Sequence, residues 1–120
     1  MKLEFKKDAL LNGINIVSKA IPSRTTMSIL ECILIDADAG EIKLTGNDME
    51  LGIETKVEGS ILERGKIALE AKLFYEIIRK LPDGETPVVI TSDNRFNTII
   101  ECENAVFNIQ GRDGEEFSYL

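Results

Sequence analysis

A shift of 64 positions lays Phe5, Leu10, Leu11 and Ile14 over Leu69, Phe74, Tyr75 and Ile78, so a short strand runs directly into an amphipathic helix twice in 120 residues. Self-similarity of this kind marks one supersecondary unit used twice, and it limits the chain to folds in which two copies cover each other's apolar faces. In the first unit, alternation predicts a strand over residues 2–6 and a helix over about 7–20, ended by Pro22 and Ser23. Strands follow over 29–36, 41–45 and 51–57. Turn-formers separate them: Ala39-Gly40, Gly46-Asn47-Asp48 and Glu58-Gly59. The second unit opens with a strand over 66–70 and a helix over about 71–80 that stops at Leu81-Pro82-Asp83-Gly84; strands over 87–91, 96–102 and 105–110 complete it. With no long βαβ crossover pattern, an internal β-α-β-β-β repeat implies an α+β domain with two helices packed on antiparallel sheets.

The helices are unusual on their outer faces. At 100° per residue the first places Leu10, Ile14, Val17 and Ile21 on one stripe, with Asp8, Asn12, Asn15 and Lys19 opposite. Amide and lysine stand where glutamate and lysine usually mix, and Gly13 costs about 0.8–1 kcal/mol of helix propensity relative to alanine. In the second helix Leu73, Phe74, Ile77, Ile78 and Leu81 form the apolar stripe. Lys72 and Arg79 point outward together, with Glu76 beside them. Lys72 and Glu76, four apart, are equally placed to form a helix-stabilising ion pair.

The formal net charge is -7, which opposes nucleic acid in bulk, since non-specific affinity comes from lysine and arginine neutralising phosphates. The distribution differs from the total. Residues 6–24 carry a net +3 and residues 71–80 a net +2, leaving -12 on the remaining 91. Two cationic helical segments in an acidic chain fit either chance segregation or one surface reserved for a phosphate backbone, met without base readout. Cys32 and Cys102 lack CxxC spacing, and with no histidine in the chain neither a zinc site nor a disulfide framework is suggested. No cofactor is implied. No stretch reaches the roughly 18–20 apolar residues of a membrane span, so a cytoplasmic protein without membrane contact is expected. Enzymatic chemistry has little to rest on, with no nucleophile elbow and no phosphate-gripping glycine loop.

Four runs carry a resemblance: Arg24-Thr25-Thr26-Met27-Ser28-Ile29-Leu30, Leu44-Thr45-Gly46-Asn47-Asp48-Met49-Glu50, the helix from Ala71-Lys72-Leu73-Phe74 to Arg79-Lys80-Leu81-Pro82, and Glu116-Phe117-Ser118-Tyr119-Leu120. In order and spacing the whole chain resembles the first domain of the bacterial DNA sliding clamp, the β subunit of DNA polymerase III. Members of that family carry three such domains per subunit and close head to tail into a dimeric ring, helices lining the hole and sheets forming the wall. The resemblance implies that residues 1–120 are an amino-terminal clamp domain cut from a three-domain subunit, a processivity factor without catalysis of its own. Its partners would be duplex DNA, bound without sequence preference, and DNA polymerase III and the clamp loader, held in a peptide pocket outside this fragment.

Carried onto this chain, the resemblance makes Arg24 and Lys72 DNA-facing, with Arg79 on the same face. Lys19, Asn12 and Asn15 join them from the exposed stripe of the first helix. Thr25 and Ser28 stand where many family members have proline. The segment over residues 45–50 reads as a tight turn in which Asp48 accepts backbone hydrogen bonds. The last predicted strand leaves apolar groups on both faces, and in the family it is an edge that joins the neighbouring subunit. Phe107 and Ile109, with Ile77, are therefore candidates for a subunit interface or for the core, and an unpaired edge is a pairing hazard. The competing reading is a stand-alone acidic α+β protein-interaction module that binds on its sheet, which leaves the cationic helix faces unexplained.

Overall fold

The computed structural model describes residues 1–119; Leu120, which ends the tail run, and the side chain of Tyr119 lie outside that description. In chain order come β1 (Lys2–Phe5), α1 (Lys7–Val17), 3₁₀ turns at Ser18–Ala20 and Ser28–Glu31, β2 (Cys32–Asp36), β3 (Lys43–Asn47), β4 (Gly52–Lys56) and β5 (Ser60–Glu63). The second half holds β6 (Lys66–Glu70), α2 (Ala71–Lys80), β7 (Val88–Ser92), β8 (Asn97–Cys102), β9 (Ala105–Gln110), β10 (Arg112–Asp113) and a 3₁₀ turn at Gly114–Tyr119.

The repeat is real, and its opening strands are exchanged. One antiparallel sheet runs β5-β1-β7-β8-β9 and the other β10-β6-β2-β3-β4, so the strand that begins each unit lies in the sheet built by the other unit. Leu3 and Phe5 pair with Ile90 and Val88, while Ile33 and Ile35 pair with Leu69 and Ile67. Neither unit can therefore fold alone without leaving a sheet short of a strand. The superposed residues agree in burial as well as in type: Phe5 and Leu69, Leu10 and Phe74, and Ile14 and Ile78 are all buried, while Leu11 and Tyr75 are both partly covered. One core cluster takes in both sheets and both helices, each buried Leu, Ile or Phe contributing about 1.5–3 kcal/mol.

Several sequence expectations shift. The strand expected over 29–36 starts only at Cys32, because Ile29 and Leu30 bury their side chains from a 3₁₀ turn. The expected turn at Gly46 moves two residues on: β3 continues through Asn47, and Asp48 closes the turn by accepting from Glu50 N–H at 2.9 Å and Leu51 N–H at 2.6 Å. Strands β5 and β10 have no forerunner in the sequence reading; β5 alternates too weakly and β10 is two residues long. Leu73, placed on the buried stripe of the second helix, is instead 47% exposed. It sits at the margin of that stripe, and no element covers it.

Gly13 finds its reason on the inner face. A Cβ there would stand 2.6 Å from Val57 Cγ2 and 3.2 Å from Leu44 Cδ1, so the glycine lets α1 settle closely onto the second sheet. The missing helix propensity is a packing requirement rather than a feature of the exposed stripe.

Candidate nucleic-acid interface

The two α-helices touch, α1 lying against β3 and β4 and α2 against β6. Lys7 ties them together. Its side chain is only 10% exposed, and Nζ donates to the Leu81 carbonyl at 2.6 Å, the Arg79 carbonyl at 3.2 Å and the Asp83 carboxylate at 2.8 Å. The start of α1 thus caps the end of α2, where orphan carbonyls favour a cation. At its other end α2 is capped by Glu70, whose carboxylate accepts from Leu73 N–H at 2.7 Å. Sequence reasoning counted Lys7 among the surface cations and missed this role; a lysine seventy residues from the carbonyls it meets leaves no local signal.

With the apolar stripes inward, both helices present polar side chains outward. Asp8, Asn12, Asn15 and Lys19 are exposed on α1 and its 3₁₀ extension, and Lys72 and Arg79 are exposed on α2, while Leu10, Ile14, Val17, Phe74 and Ile78 are buried. Ile21, expected on the buried stripe, is only partly covered. Arg24 is exposed in the loop over residues 21–27. Among the described residues, Lys19, Arg24 and Lys72 belong to no ion pair. The helix pair suggested for Lys72 and Glu76 does not form. Glu76 turns the other way, to Arg79 at 2.7 Å and Lys80 at 3.9 Å. The Arg79 hydrogen bond holds the Glu76 carboxyl below its usual range and raises the guanidinium in return. Arg79 therefore reaches the surface partly neutralised, and Lys72 is the less encumbered charge on α2.

In the Arg24 loop hydrogen bonds stand where proline would act. Thr25 Oγ1 accepts from Met27 N–H at 3.0 Å, and Ser28 Oγ accepts from Arg112 at 2.7 Å.

Strand β9 forms one edge of its sheet. Its pattern alternates: Val106 is 57% exposed on one face, while Ile109 is 7% exposed and Phe107 partly buried on the other. Ile77, 5% exposed, and Ile109 both belong to the core of this domain, and Phe107 packs against that core from its margin. Both cysteines are buried and free. Burial pushes the Cys32 thiol up to about 11 against the opposing pull of Arg112, which makes it a poor nucleophile. Among the described residues, no group of three or more histidine, cysteine, aspartate or glutamate side chains is placed to hold a metal, and no helix is long and apolar enough to cross a membrane.

Comparison with known proteins identifies the family. The family described as DNA polymerase III beta subunit, N-terminal domain, matches residues 1–120. The beta sliding clamp of Bacillus subtilis is 38% identical over 128 residues, covering all of this chain and 33% of that protein. The corresponding clamp of Staphylococcus epidermidis is 37% identical, also over all of this chain and 33% of its own length. A crystal structure described as a DNA polymerase III beta subunit, from Eubacterium rectale, superposes with a TM-score of 0.95 at 63% identity, covering all of this chain and 32% of that one. The chain spans about a third of the length of the relatives it matches. With the family's profile matched from end to end and its fold reproduced, the chain belongs to the DNA polymerase III beta subunit family, in its N-terminal domain.

Proposed function

We propose that this chain acts as the first domain of a ring-shaped sliding clamp, a non-catalytic processivity factor that encircles duplex DNA in the cytoplasm and tethers DNA polymerase III. The observation that carries the reading is the pairing of α1 and α2 with Asn12, Asn15, Lys19, Lys72 and Arg79 all turned outward. Such a surface offers amides and a few cations to phosphates without the donor and acceptor pattern needed to read bases. The exchanged repeat supports ring closure, because it leaves matching edges, β4 and β9, at the ends of the two sheets. A head-to-tail ring needs two such ends on every domain. Phe107, at the margin of the core to which Ile77 and Ile109 belong, is the side chain we assign to the junction with a neighbouring subunit. The polymerase and clamp loader would dock elsewhere on the three-domain subunit.

The test compares this chain with the complete ring. Alone, with two or three phosphate contacts from Arg24, Lys72 and Arg79, it is expected to bind a short duplex weakly and to lose most of that affinity between low and physiological salt, at a slope of about -0.9 per phosphate. In the complete subunit, Arg24→Glu combined with Lys72→Glu is expected to impair loading onto DNA while leaving dimerisation intact. Tight binding by the lone domain at physiological salt would reveal a dedicated DNA-binding module and defeat the clamp reading.

A further inference from the structure

Arg24 sits midway along the loop over residues 21–27, and that loop is fastened at both ends. At the start, Ile21 N–H donates to the Ser18 carbonyl at 3.1 Å. At the far end Ser28 Oγ accepts from Arg112 Nη1 at 2.7 Å, and the same guanidinium donates through Nε and Nη2 to the two carboxylate oxygens of Glu116 at 3.0 and 2.7 Å. A bidentate arginine and carboxylate fix each other's plane as well as their distance. Ser28 and Arg112 are 84 positions apart, so the clasp joins segments that backbone pairing alone does not connect. Beneath it Ile29, Leu30, Cys32 and Ala68 form a second apolar cluster, with Phe117 packed against them. The 3₁₀ turns at Ser28–Glu31 and Gly114–Tyr119 thus share a small core of their own.

The backbone at this corner is shaped for proline. Met27 has φ -101° and ψ 95°, extended backbone outside the α region that a following proline disfavours. Ser28 opens a 3₁₀ turn, where a helical φ is required and proline's missing N–H is no loss. Serine at that position gives up the ring's rigidity and supplies a hydroxyl. The hydroxyl is what Arg112 holds.

We infer that Arg112, oriented by Glu116, is a positioning residue for Arg24: it restrains the loop through Ser28 and so aims a cation that it never touches. The inference rests on the reading of Arg24 as duplex-facing, and the experiment separates the two. A short fluorescent primer-template duplex is titrated against the full-length subunit over a series of salt concentrations, and the slope of log affinity against log salt is read. Arg24→Ala is expected to lower the slope by about 0.9 for each phosphate contact the ring loses. Arg112→Met and Glu116→Ala are expected to lower it by a comparable amount and to add nothing in the Arg24→Ala background, while Ser28→Pro keeps the original slope. Glu116→Ala is the sharpest variant, since deleting a negative charge would by itself tighten binding to a polyanion. Should Arg112→Met fail to fold, Ser28→Ala removes only the hydroxyl and is expected to lower the slope in part. A slope that falls for Arg24→Ala but holds for Arg112→Met, Glu116→Ala and Ser28→Ala overturns the positioning role. A slope indifferent to Arg24→Ala overturns the duplex-facing reading of the loop, and the clasp's function falls with it.

Discussion

Replacing Gly13 by alanine sets two known effects against each other inside one helix. In an exposed helix the change gains about 0.8–1 kcal/mol. Here the added methyl would lie 2.6 Å from Val57 Cγ2 and 3.2 Å from Leu44 Cδ1, against a comfortable carbon-carbon separation of about 3.5–4.0 Å. Neither neighbour yields easily: Leu44 is fully buried and Val57 is buried and β-branched, with few rotamers open to it. Overpacking a core by one methyl typically costs about 1–3 kcal/mol, so the clash outweighs the propensity gain. Gly13→Ala is expected to destabilise the domain by about 1 kcal/mol, or roughly 3–6 °C in melting temperature for a domain of this size. Urea denaturation and a thermal melt followed by circular dichroism measure both. Val57→Ala removes the Cγ2 methyl that most obstructs the site, and in that background Gly13→Ala is expected to cost far less, the remaining approach to Leu44 Cδ1 offsetting part of the propensity gain. A higher denaturation midpoint for Gly13→Ala alone would refute the close-packing argument.

Two further outcomes follow from the hydrogen bonds. Lys7→Met keeps the buried stem but removes the ammonium from the Leu81 and Arg79 carbonyls; a loss of about 1–2 kcal/mol is expected, and Asp83→Asn should cost far less because Asp83 is largely exposed. Equal losses in chemical denaturation would mean that the ion pair, and not the helix cap, is what matters. Asp48 titrates below the ordinary carboxylate value because the amides of Leu51 and Glu50 donate to it. Its contribution is thus complete above the unfolded pKa near 4 and is lost as pH falls through the lower folded value. Asp48→Asn should therefore show a stability deficit at pH 7 that shrinks towards about pH 3, whereas a deficit of constant size would remove the charge from the explanation.

How much the sequence revealed depended on the range of the interactions. The repeat, both helices and the outward stripe of Asn12, Asn15 and Lys19 were legible, because each rests on periodicity within a few turns. The bounds of α2 agree with the expected residues 71–80, since Glu70 and Leu81-Pro82 mark its ends locally. Leu73 was misplaced because a helical wheel fixes the centre of a buried stripe but not how far a neighbour reaches over its margin. The cap from Lys7 and the Ser28-Arg112 link of the clasp span 72 to 84 positions, and the exchange of β1 and β6 between sheets depends on two strands choosing distant partners. Composition gave no hint of any of them.

The contact with DNA proposed for this acidic chain poses an electrostatic question, and the side chains suggest how the two are reconciled. The helical segments hold more cations than the surface presents freely. Lys7 is committed to the end of α2, and Arg79 and Lys80 share Glu76. That leaves Lys6, Lys19, Arg24 and Lys72 outside any ion pair among the described residues. Four unpaired cations on these segments, amid an acidic remainder, give a shallow attraction whose strength changes little from one phosphate to the next. A protein that must hold DNA by affinity would need many more, and each would add friction to translation along the duplex. Retention by encirclement removes that need. In the proposed ring the Glu76 pair would gain a use: an exposed pair worth about 0–1 kcal/mol opens readily, so Arg79 could trade a carboxylate for a phosphate and back as the duplex moved past, without the protein changing shape.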